Sequence, residues 1–137
     1  MKAIILTPLH PILGDGFAVI TVTGRTTGRR ISTPVNVSPQ DGELVVISFR
    51  SRTWWRNLLE GRKGKLHHRG KTFPVAARIL DQPSAVADEL RRYFTAHPGR
   101  AKYFGIQSDA AGKAPEEELT RAASDRVIVF LSPTASG

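Results

Sequence analysis

The stretch GFAVITVTGRTTGRRISTPVNVS, residues 16–38, contains two candidate strands joined by an arginine-rich turn. Its first part, GFAVITVTG (16–24), is rich in β-branched and aromatic residues between two glycines, which predicts a largely buried strand. The part from Ile31 to Ser38 alternates in polarity, which predicts a second strand with one buried face. Because Pro34 has no N–H group for a sheet ladder, we expect this second strand at an edge or locally unpaired.

The turn between these strands, residues 24–30, brings two glycines and three arginines together. Glycines permit positive φ, guanidinium groups bind phosphate oxygens in pairs, and exposed backbone N–H groups add further donors. These residues fit a phosphate cradle anchored by Arg25 with Arg29 or Arg30. The same residues fit equally well a solvated hairpin whose charges keep a strand edge soluble. No Walker or dinucleotide-binding spacing is present to decide between the two.

Four further strands are predicted along the chain. PQDG, residues 39–42, is typical of a hairpin turn, and residues 44–49 form a third strand directly after it. Two strands follow on either side of Gly70, and the apolar residues 127–131 form a sixth. Six short strands joined by turns favour an antiparallel barrel over a doubly wound parallel sheet.

Two segments have helical spacing instead. WWRNLL predicts a short helix that Gly61 ends, and SAVADELRRYFTAH, residues 84–97, predicts a longer amphipathic helix. Residues 98–123 mix glycine, proline and acidic side chains, which predicts a loop with short helices. The sequence therefore predicts a mainly β protein with helices packed against a small barrel.

Length and composition limit the function classes. The 137 residues predict one domain, with an N-terminal arm over 1–15 and a flexible tail over 133–137. A net charge of +8 indicates an anionic partner, whether a phosphorylated ligand, nucleic acid or an acidic membrane surface. The absence of cysteine excludes disulfides and thiol catalysis and fits a cytoplasmic location. The apolar run interrupted by Pro8 and Pro11 is too short to span a bilayer, so no integral membrane association is expected.

A second group of functional candidates is SFRSRTWWRNL, in which Arg50, Arg52 and Arg56 surround two adjacent tryptophans. Neighbouring residues point about 100° apart on a helix, so at most one of Trp54 and Trp55 is expected to lie fully in the core. The other could then cover a flat ligand, such as an isoalloxazine-like ring or a nucleobase. The alternative is that both indoles are packing residues beneath the barrel.

Two histidines are adjacent in the candidate strand KGKLHHRGK. Neighbouring residues on a strand face opposite sides, so His67 and His68 cannot chelate one metal, and no metal site is predicted. Either histidine alone could still bind haem. The chain has no Ser-His-Asp, paired-carboxylate or HExxH arrangement. It also lacks a basic helix or an aromatic-studded strand pair, so nucleic acid is not an expected partner.

Taken together, TGRTTGRRISTPV, DGELVVIS and WWRNL resemble the split β-barrel flavin and deazaflavin oxidoreductases, and especially the deazaflavin-dependent nitroreductase family. The resemblance covers Phe17 to Leu80, with a matching sixth strand at Val127 to Leu131. It implies a six-stranded antiparallel split barrel with flanking helices, usually dimeric. Ile31 stands where many members have a second phosphate-binding arginine, a role that Arg29 or Arg30 can take.

The resemblance also implies an activity. Coenzyme F420 is the first choice of cofactor and FMN the second, and the enzyme would transfer hydride to a small conjugated or nitro-bearing substrate. Since such a cofactor carries the hydride chemistry, no catalytic side chain is expected. The alternative is a non-catalytic split barrel that binds a cofactor, haem or lipid.

The implied site has a cofactor part and a substrate part. The cofactor-binding residues are Arg25, Thr26, Gly28, Arg29 and Arg30 at the phosphate-bearing tail, Thr33, Pro34 and Val35 along the ring, Ser48, Phe49 and Arg50 at a strand end, and Trp54 and Asn57 on the closing helix. The substrate-pocket residues are Asn36, Tyr93, Tyr103 and Phe104. Ser48 could also polarise an acceptor or hold a ring carbonyl.

Overall fold

The structure, a computed structural model, describes residues 16–104, 106 and 115–134, without the side chain of Tyr103. Its strands are β1 (Phe17–Thr23), β2 (Arg30–Asn36), β3 (Ser38–Gln40), β4 (Glu43–Phe49), β5 (Gly64–His68), β6 (Lys71–Leu80) and β7 (Arg126–Pro133). They form one sheet in the order β2-β1-β5-β6-β7-β4-β3. The α-helices are α1 (Pro83–Ala96) and α2 (Glu116–Ser124), and two 3₁₀ segments span Trp54–Gly61 and Pro98–Phe104.

The described part of the chain has seven strands where the sequence predicts six, because the predicted strand 31–38 divides at Val37. The amide of Val37 donates to the carbonyl of Gly16 (3.0 Å), just before β1 begins. Beyond this residue the chain changes partner, since β2 pairs with β1 whereas β3 pairs with β4. Alternation in polarity runs from Ile31 to Ser38 and passes through Val37 without interruption, so it could not show the change of partner.

Strand β2 lies at one end of the described sheet, as the proline in its sequence predicts. It pairs antiparallel with β1, and Pro34 lies opposite Val19. Strand β1 also pairs with β5 on its other side, so Ile20 lies between Thr33 and Leu66. All three of these residues are buried, which places them on the core face of the sheet.

Two tight hairpins connect neighbouring strands. Asp41 and Gly42 join β3 to β4, and Arg69 and Gly70 join β5 to β6; all four residues have positive φ. Two-residue loops with positive φ at both positions match the twist of antiparallel strands. The turns predicted at PQDG and at Gly70 are thereby confirmed.

The chain divides into two compact units. The first contains residues up to 47, residues 52–79 and residues from 129 onward; the second contains 48–51 and 80–128. In the first unit, side chains from β1, β5 and the 3₁₀ segment at residues 54–61 form much of the buried core. The assignment of the whole chain to one domain stays a prediction.

The second unit contains the amphipathic helix that the sequence predicts at residues 84–97. Helix α1 buries Val86, Leu90 and Phe94 at successive turns. The guanidinium of Arg91 pairs with Asp88 on the same helix and with Glu116 at the start of α2, both at 2.8 Å. Hydrogen bonds to these carboxylates, first Asp88 and then Glu116, raise the pKa of Arg91 above its usual value.

At the C-terminal end, β7 extends to Pro133, into the stretch predicted as a flexible tail. The amide of Thr134 donates to the carbonyl of Pro74 (3.0 Å), which continues the ordered chain by one more residue. Residues 135–137 and the predicted arm 1–15 lie outside the described residues. Within the part that is described, no helix has the length and apolar character needed to cross a membrane.

A polar cluster joins three strands in the first unit. Arg78 on β6 pairs with Glu43 on β4 (Nη2 to Oε1, 3.1 Å), and Ser132 on β7 donates to the other carboxylate oxygen (3.0 Å). The Arg78 guanidinium also lies 3.9 Å from the centre of the Phe130 ring. One arginine therefore both covers a core aromatic and connects two strands.

Replacing this arginine tests that role. We expect Arg78→Ala to lower the free energy of unfolding by about 1 kcal/mol, because it removes a cation–π contact and a partly exposed ion pair. Chemical denaturation measures the change. Arg62→Ala is the control, because Arg62 is exposed and has no ion pair or ring contact among the described residues. Its stability should stay close to that of the parent. If both variants were equally stable, Arg78 would not stabilise the fold as described.

Candidate functional site

The turn between β1 and β2, which we call the arginine loop (residues 24–30), is closed by its own backbone. The amide of Gly24 donates to the carbonyl of Arg29 (2.7 Å), and the amide of Gly28 donates back to the carbonyl of Gly24 (3.0 Å). The hydroxyl of Thr27 accepts from the amide of Arg29 (3.2 Å). These bonds give the loop a defined conformation although its residues 25–30 are exposed.

Gly24 closely approaches another residue of this loop. A Cβ atom at this position would lie 2.6 Å from the hydroxyl oxygen of Thr27, closer than real Cβ contacts. At Gly28, by contrast, the φ angle is +72° and a Cβ would meet nothing within 4 Å. The space above Gly28 is therefore open to a ligand.

Asn57 connects the arginine loop to the 3₁₀ segment at residues 54–61. Its side-chain oxygen accepts from the amide of Arg25 (2.9 Å). Its side-chain nitrogen donates to the carbonyls of Thr53 (3.3 Å) and Trp54 (3.4 Å). The structure thus brings together Arg25 and Asn57, two predicted site residues that are 32 positions apart. Asn57 contacts the backbone of Arg25.

The three arginine side chains of the loop have no acidic partner in the described part of the chain. Arg25, Arg29 and Arg30 are exposed, and none of the ion pairs among those residues includes them. Thr26, also predicted to bind cofactor, is exposed beside them. Three guanidinium groups on a closed turn form a concentrated donor set for an anion.

Along β2 the predicted ring-binding residues do not share one face. Thr33 and Val35 are buried on the core face, whereas Pro34 and Asn36 are half-buried on the opposite face. Only the last two have side chains on the same face as Arg30, because successive residues of a strand alternate. Arg30 and Pro34 are four residues apart, about 13 Å along the strand.

A cavity of about 120 Å³ lies on this outer face. Pro34 is part of its wall, with Phe17 and Val19 of β1. His67 and Arg69 supply polar groups at the same cavity. It is an apolar recess with an imidazole and a guanidinium in its lining, and it contains one of the predicted ring-binding residues.

The two histidines of β5 face opposite sides, as predicted. His67 pairs across the strands with Val19, and its Nδ1 lies 2.7 Å from the hydroxyl of Thr72. His68 pairs with Ala18, and its Nδ1 lies 3.4 Å from the carbonyl of Phe17. Among the residues that the structure describes, no cluster of three or more side chains could hold a metal ion.

The prediction that one tryptophan would be available to a ligand is wrong. Trp54 is 3% exposed and Trp55 is 1% exposed, so both indoles belong to the core of the first unit. The guanidinium of Arg56 lies 4.4 Å from the centre of the Trp55 ring and covers it. The helical turn also ends early, since Leu59 and Glu60 leave helical geometry before Gly61.

The predicted residues at the end of β4 lie in the second unit. Ser48 is buried and its hydroxyl donates to the carbonyl of Phe49 (3.1 Å). Arg50 donates from its amide to the carbonyl of Asp125 (2.8 Å) and from its guanidinium to the carbonyl of Arg126 (3.1 Å). One nitrogen of Arg50 is therefore bound to β7, which leaves its other donors for a ligand.

Arg126 joins two of the predicted site residues and was not identified from the sequence. Its guanidinium carbon lies 4.0 Å from the ring centre of Phe49 and 5.1 Å from that of Phe104. Phe49 is nevertheless 51% exposed. An arginine after an aspartate at the start of a strand has no distinctive sequence signal, so only the tertiary contact identifies it.

The predicted substrate-pocket aromatics of the second unit form a cluster. The rings of Phe104 and Phe94 are 5.1 Å apart, and those of Phe94 and Tyr93 are 5.8 Å apart. Arg100 donates to the Tyr93 hydroxyl (2.9 Å), and His97 packs against the same ring. The side chain of Tyr103 lies outside the described part of the structure, and Asn36 belongs to the first unit.

A family model for F420H(2)-dependent quinone reductases matches residues 8–109, about three quarters of the chain. The chain belongs to the F420H(2)-dependent quinone reductase family. This confirms the resemblance to deazaflavin oxidoreductases that the motifs of β1, β2 and β4 carry. A comparison with curated proteins gives no match.

Solved structures support the fold of this reductase family member. A protein of unknown function from Agrobacterium tumefaciens str. C58 is 17% identical over 87% of the chain, with a TM-score of 0.55, and the chain spans 48% of its length. HutZ, the heme storage protein from Vibrio cholerae, is 15% identical over 88% of the chain and 82% of its own, with a TM-score of 0.53. A domain-swapped dimer is 16% identical over 89% of the chain and 84% of its own, with a TM-score of 0.51.

These likenesses show the fold alone. They confirm the predicted class, a mainly β protein with an antiparallel split-barrel sheet and helices, although the described strands number seven instead of six. Family membership makes the chain an oxidoreductase of an F420-dependent type. The family description names F420H2 and not FMN, so the second choice of cofactor stays a prediction.

The connection through Asn57 generates a prediction about the arginine loop. In Asn57→Ala we expect the amide hydrogen of Arg25 to exchange about five-fold faster, because it loses a bond worth about 1 kcal/mol. Asn57→Asp keeps an accepting oxygen and should retain the protection. Hydrogen exchange followed by NMR measures both, with the β1 amide of Ile20 as the internal reference; unchanged exchange of Arg25 in Asn57→Ala would show that the loop is held without Asn57.

Proposed function

We propose that this protein is an F420H2-dependent reductase that transfers hydride to a small, flat, conjugated acceptor such as a quinone or a nitro compound. The observation that carries the proposal is the arginine loop. It presents three exposed arginines, without acidic partners in the part of the chain that the structure describes, on a turn that hydrogen bonds hold closed. The family match supports it independently, because the description of that family names this cofactor and this acceptor class.

The residues present fit a ligand with an anionic tail and an apolar, planar body. Arg25, Arg29 and Arg30 would bind the phosphate-bearing tail, and the open space above Gly28 lets a phosphate approach the backbone. Pro34 contributes to an apolar recess on the face of β2 that also carries Arg30. The donor set thus matches the charged part, and the recess offers apolar contacts to a portion of the planar body.

The coenzyme supplies the hydride chemistry when it is bound. The protein's own residues bind and orient. The arginine loop would fix the tail, and Asn57 would keep that loop in place. Within the second unit, considered by itself, the aromatic side chains offer apolar surfaces to a flat acceptor. The Ser48 hydroxyl, which donates to the carbonyl of Phe49, would have to give up that bond to hold a ring carbonyl or polarise the acceptor. No side chain is required as a nucleophile.

Two further expectations belong to this proposal. A homodimer is expected from the family resemblance, and a domain-swapped dimer is among the similar structures. A cytoplasmic location is expected from the cysteine-free sequence. Neither expectation affects the proposal that the arginine loop binds the cofactor, because that proposal rests on contacts within one chain.

Titration of the purified protein with F420, FMN and haem tests the choice of ligand. We expect saturable binding of F420, seen as a change in its fluorescence, and much weaker binding of FMN. Saturable binding of haem alone would instead favour a storage or transport protein. No saturable change with either flavin would remove the reductase proposal.

The double variant Arg25→Ala/Arg29→Ala tests the arginine loop. Charge-assisted hydrogen bonds to phosphate are worth about 1.5 to 3 kcal/mol each, so the dissociation constant of F420 should rise at least about 100-fold. Thermal unfolding should be unchanged, since both side chains are exposed. Arg62→Ala/Arg121→Ala removes the same charge at other exposed positions; an equal loss of affinity there would show that net charge, and not the loop, binds the cofactor.

A further inference from the structure

Arg126 lies between two aromatic rings that come from distant parts of the chain. Its guanidinium carbon is 4.0 Å from the ring centre of Phe49 and 5.1 Å from that of Phe104. These distances fall within the range in which a cation is attracted to a ring face. The Arg126 side chain is only 12% exposed, so the contacts are shielded from water more than surface pairs are.

Each group in this arrangement is anchored separately. The charge of Arg126 is balanced by Asp125 (Nη1 to Oδ1, 2.6 Å). The backbone of residues 125–126 is bound by Arg50, through its amide and its guanidinium. Because Arg50 directly follows Phe49, the same bonds that fix Arg126 also fix the backbone beside that ring.

The second ring is anchored from its other side. Phe104 packs edge-on against Phe94, which is completely buried in α1. If the guanidinium moved away, Phe49 and Phe104 would each lose a cation–π contact, while Phe104 would keep its contact with Phe94. Phe49 remains 51% exposed, so a large part of its ring is available to a ligand.

We infer that Arg126 is a positioning residue for the acceptor. By stacking between Phe49 and Phe104, it holds the two phenyl rings as walls against which a flat, conjugated acceptor packs. This rests on the proposed function, because the acceptor class comes from there. Arg126 itself need not touch the acceptor; it acts through the two rings.

Arg126→Lys and Arg126→Met separate this role from a purely structural one. Lysine keeps the charge and the pair with Asp125 but loses the planar stack, and methionine keeps the apolar stem alone. Arg121→Lys and Arg121→Met are the matched controls, since Arg121 is exposed on α2 and its side chain has no partner among the described residues. Thermal unfolding of all four variants reports on stability.

The first measurement needs no cofactor. Binding of 2-methyl-1,4-naphthoquinone to the cofactor-free protein is followed by ligand-detected NMR. We expect the dissociation constant of the naphthoquinone to rise about ten-fold in Arg126→Met, because this variant loses two partly shielded cation–π contacts. The rise should be smaller in Arg126→Lys. The Arg121 variants should stay within two-fold of the parent. Equal binding by Arg126→Met and the parent, or no binding by the parent, would overturn the inference.

The second measurement uses the protein with F420H2. In Arg126→Met the KM for the naphthoquinone should rise about ten-fold, while the dissociation constant of F420 stays within two-fold. In a Phe49→Leu/Phe104→Leu background, adding Arg126→Met should change KM by less than two-fold, since no rings remain to be positioned.

A lower unfolding temperature with unchanged KM would assign Arg126 a structural role only. Failure of the parent to bind F420 would contradict the proposed function, and the cofactor-free binding would still decide the role of Arg126.

Discussion

Strand β1 pairs along both of its edges, with β2 on one side and β5 on the other, and this double pairing determines where the arginine loop lies. Its registers with both neighbours place Ile20 between two buried residues, so the strand cannot shift by one residue without turning its apolar side chains outward. The loop begins where β1 ends. Its position is therefore set by the best-paired strand of the first unit, and its own hydrogen bonds need only set its conformation.

The 3₁₀ segment at residues 54–61 then connects this loop to the core. Its two indoles are buried, and Asn57, on the same short segment, reaches out to the amide of Arg25. Burial of the tryptophans and support of the loop are thus two consequences of one packing arrangement. A residue that matches a cofactor ligand by its place in a motif can therefore have a supporting role, since Asn57 holds the backbone of Arg25.

The sequence predicted the parts of the structure that depend on neighbours along the chain. Alternation and the proline in β2 predicted an edge strand, Asp41-Gly42 predicted a hairpin, and the spacing of Val86, Leu90 and Phe94 predicted α1. The exposure of a tryptophan was mispredicted, because helical geometry gives the angle between neighbouring side chains but not what covers each of them. The contact of Arg126 with Phe49 joins residues 77 positions apart and leaves no local pattern.

Some arginines of this chain are paired within the fold and others are not, a difference that the net charge of +8 does not show. Arg78, Arg91 and Arg126 each pair with a carboxylate, and two of them also stack on a ring, so their charge is used within the fold. The arginines of the loop have neither kind of partner among the described residues. Since a paired guanidinium gains less from an added anion than an unpaired one, the loop should bind anions more strongly than these paired arginines do. Its three arginines also lie on one closed turn, which distinguishes the loop from single exposed cations such as Arg62 and Arg121.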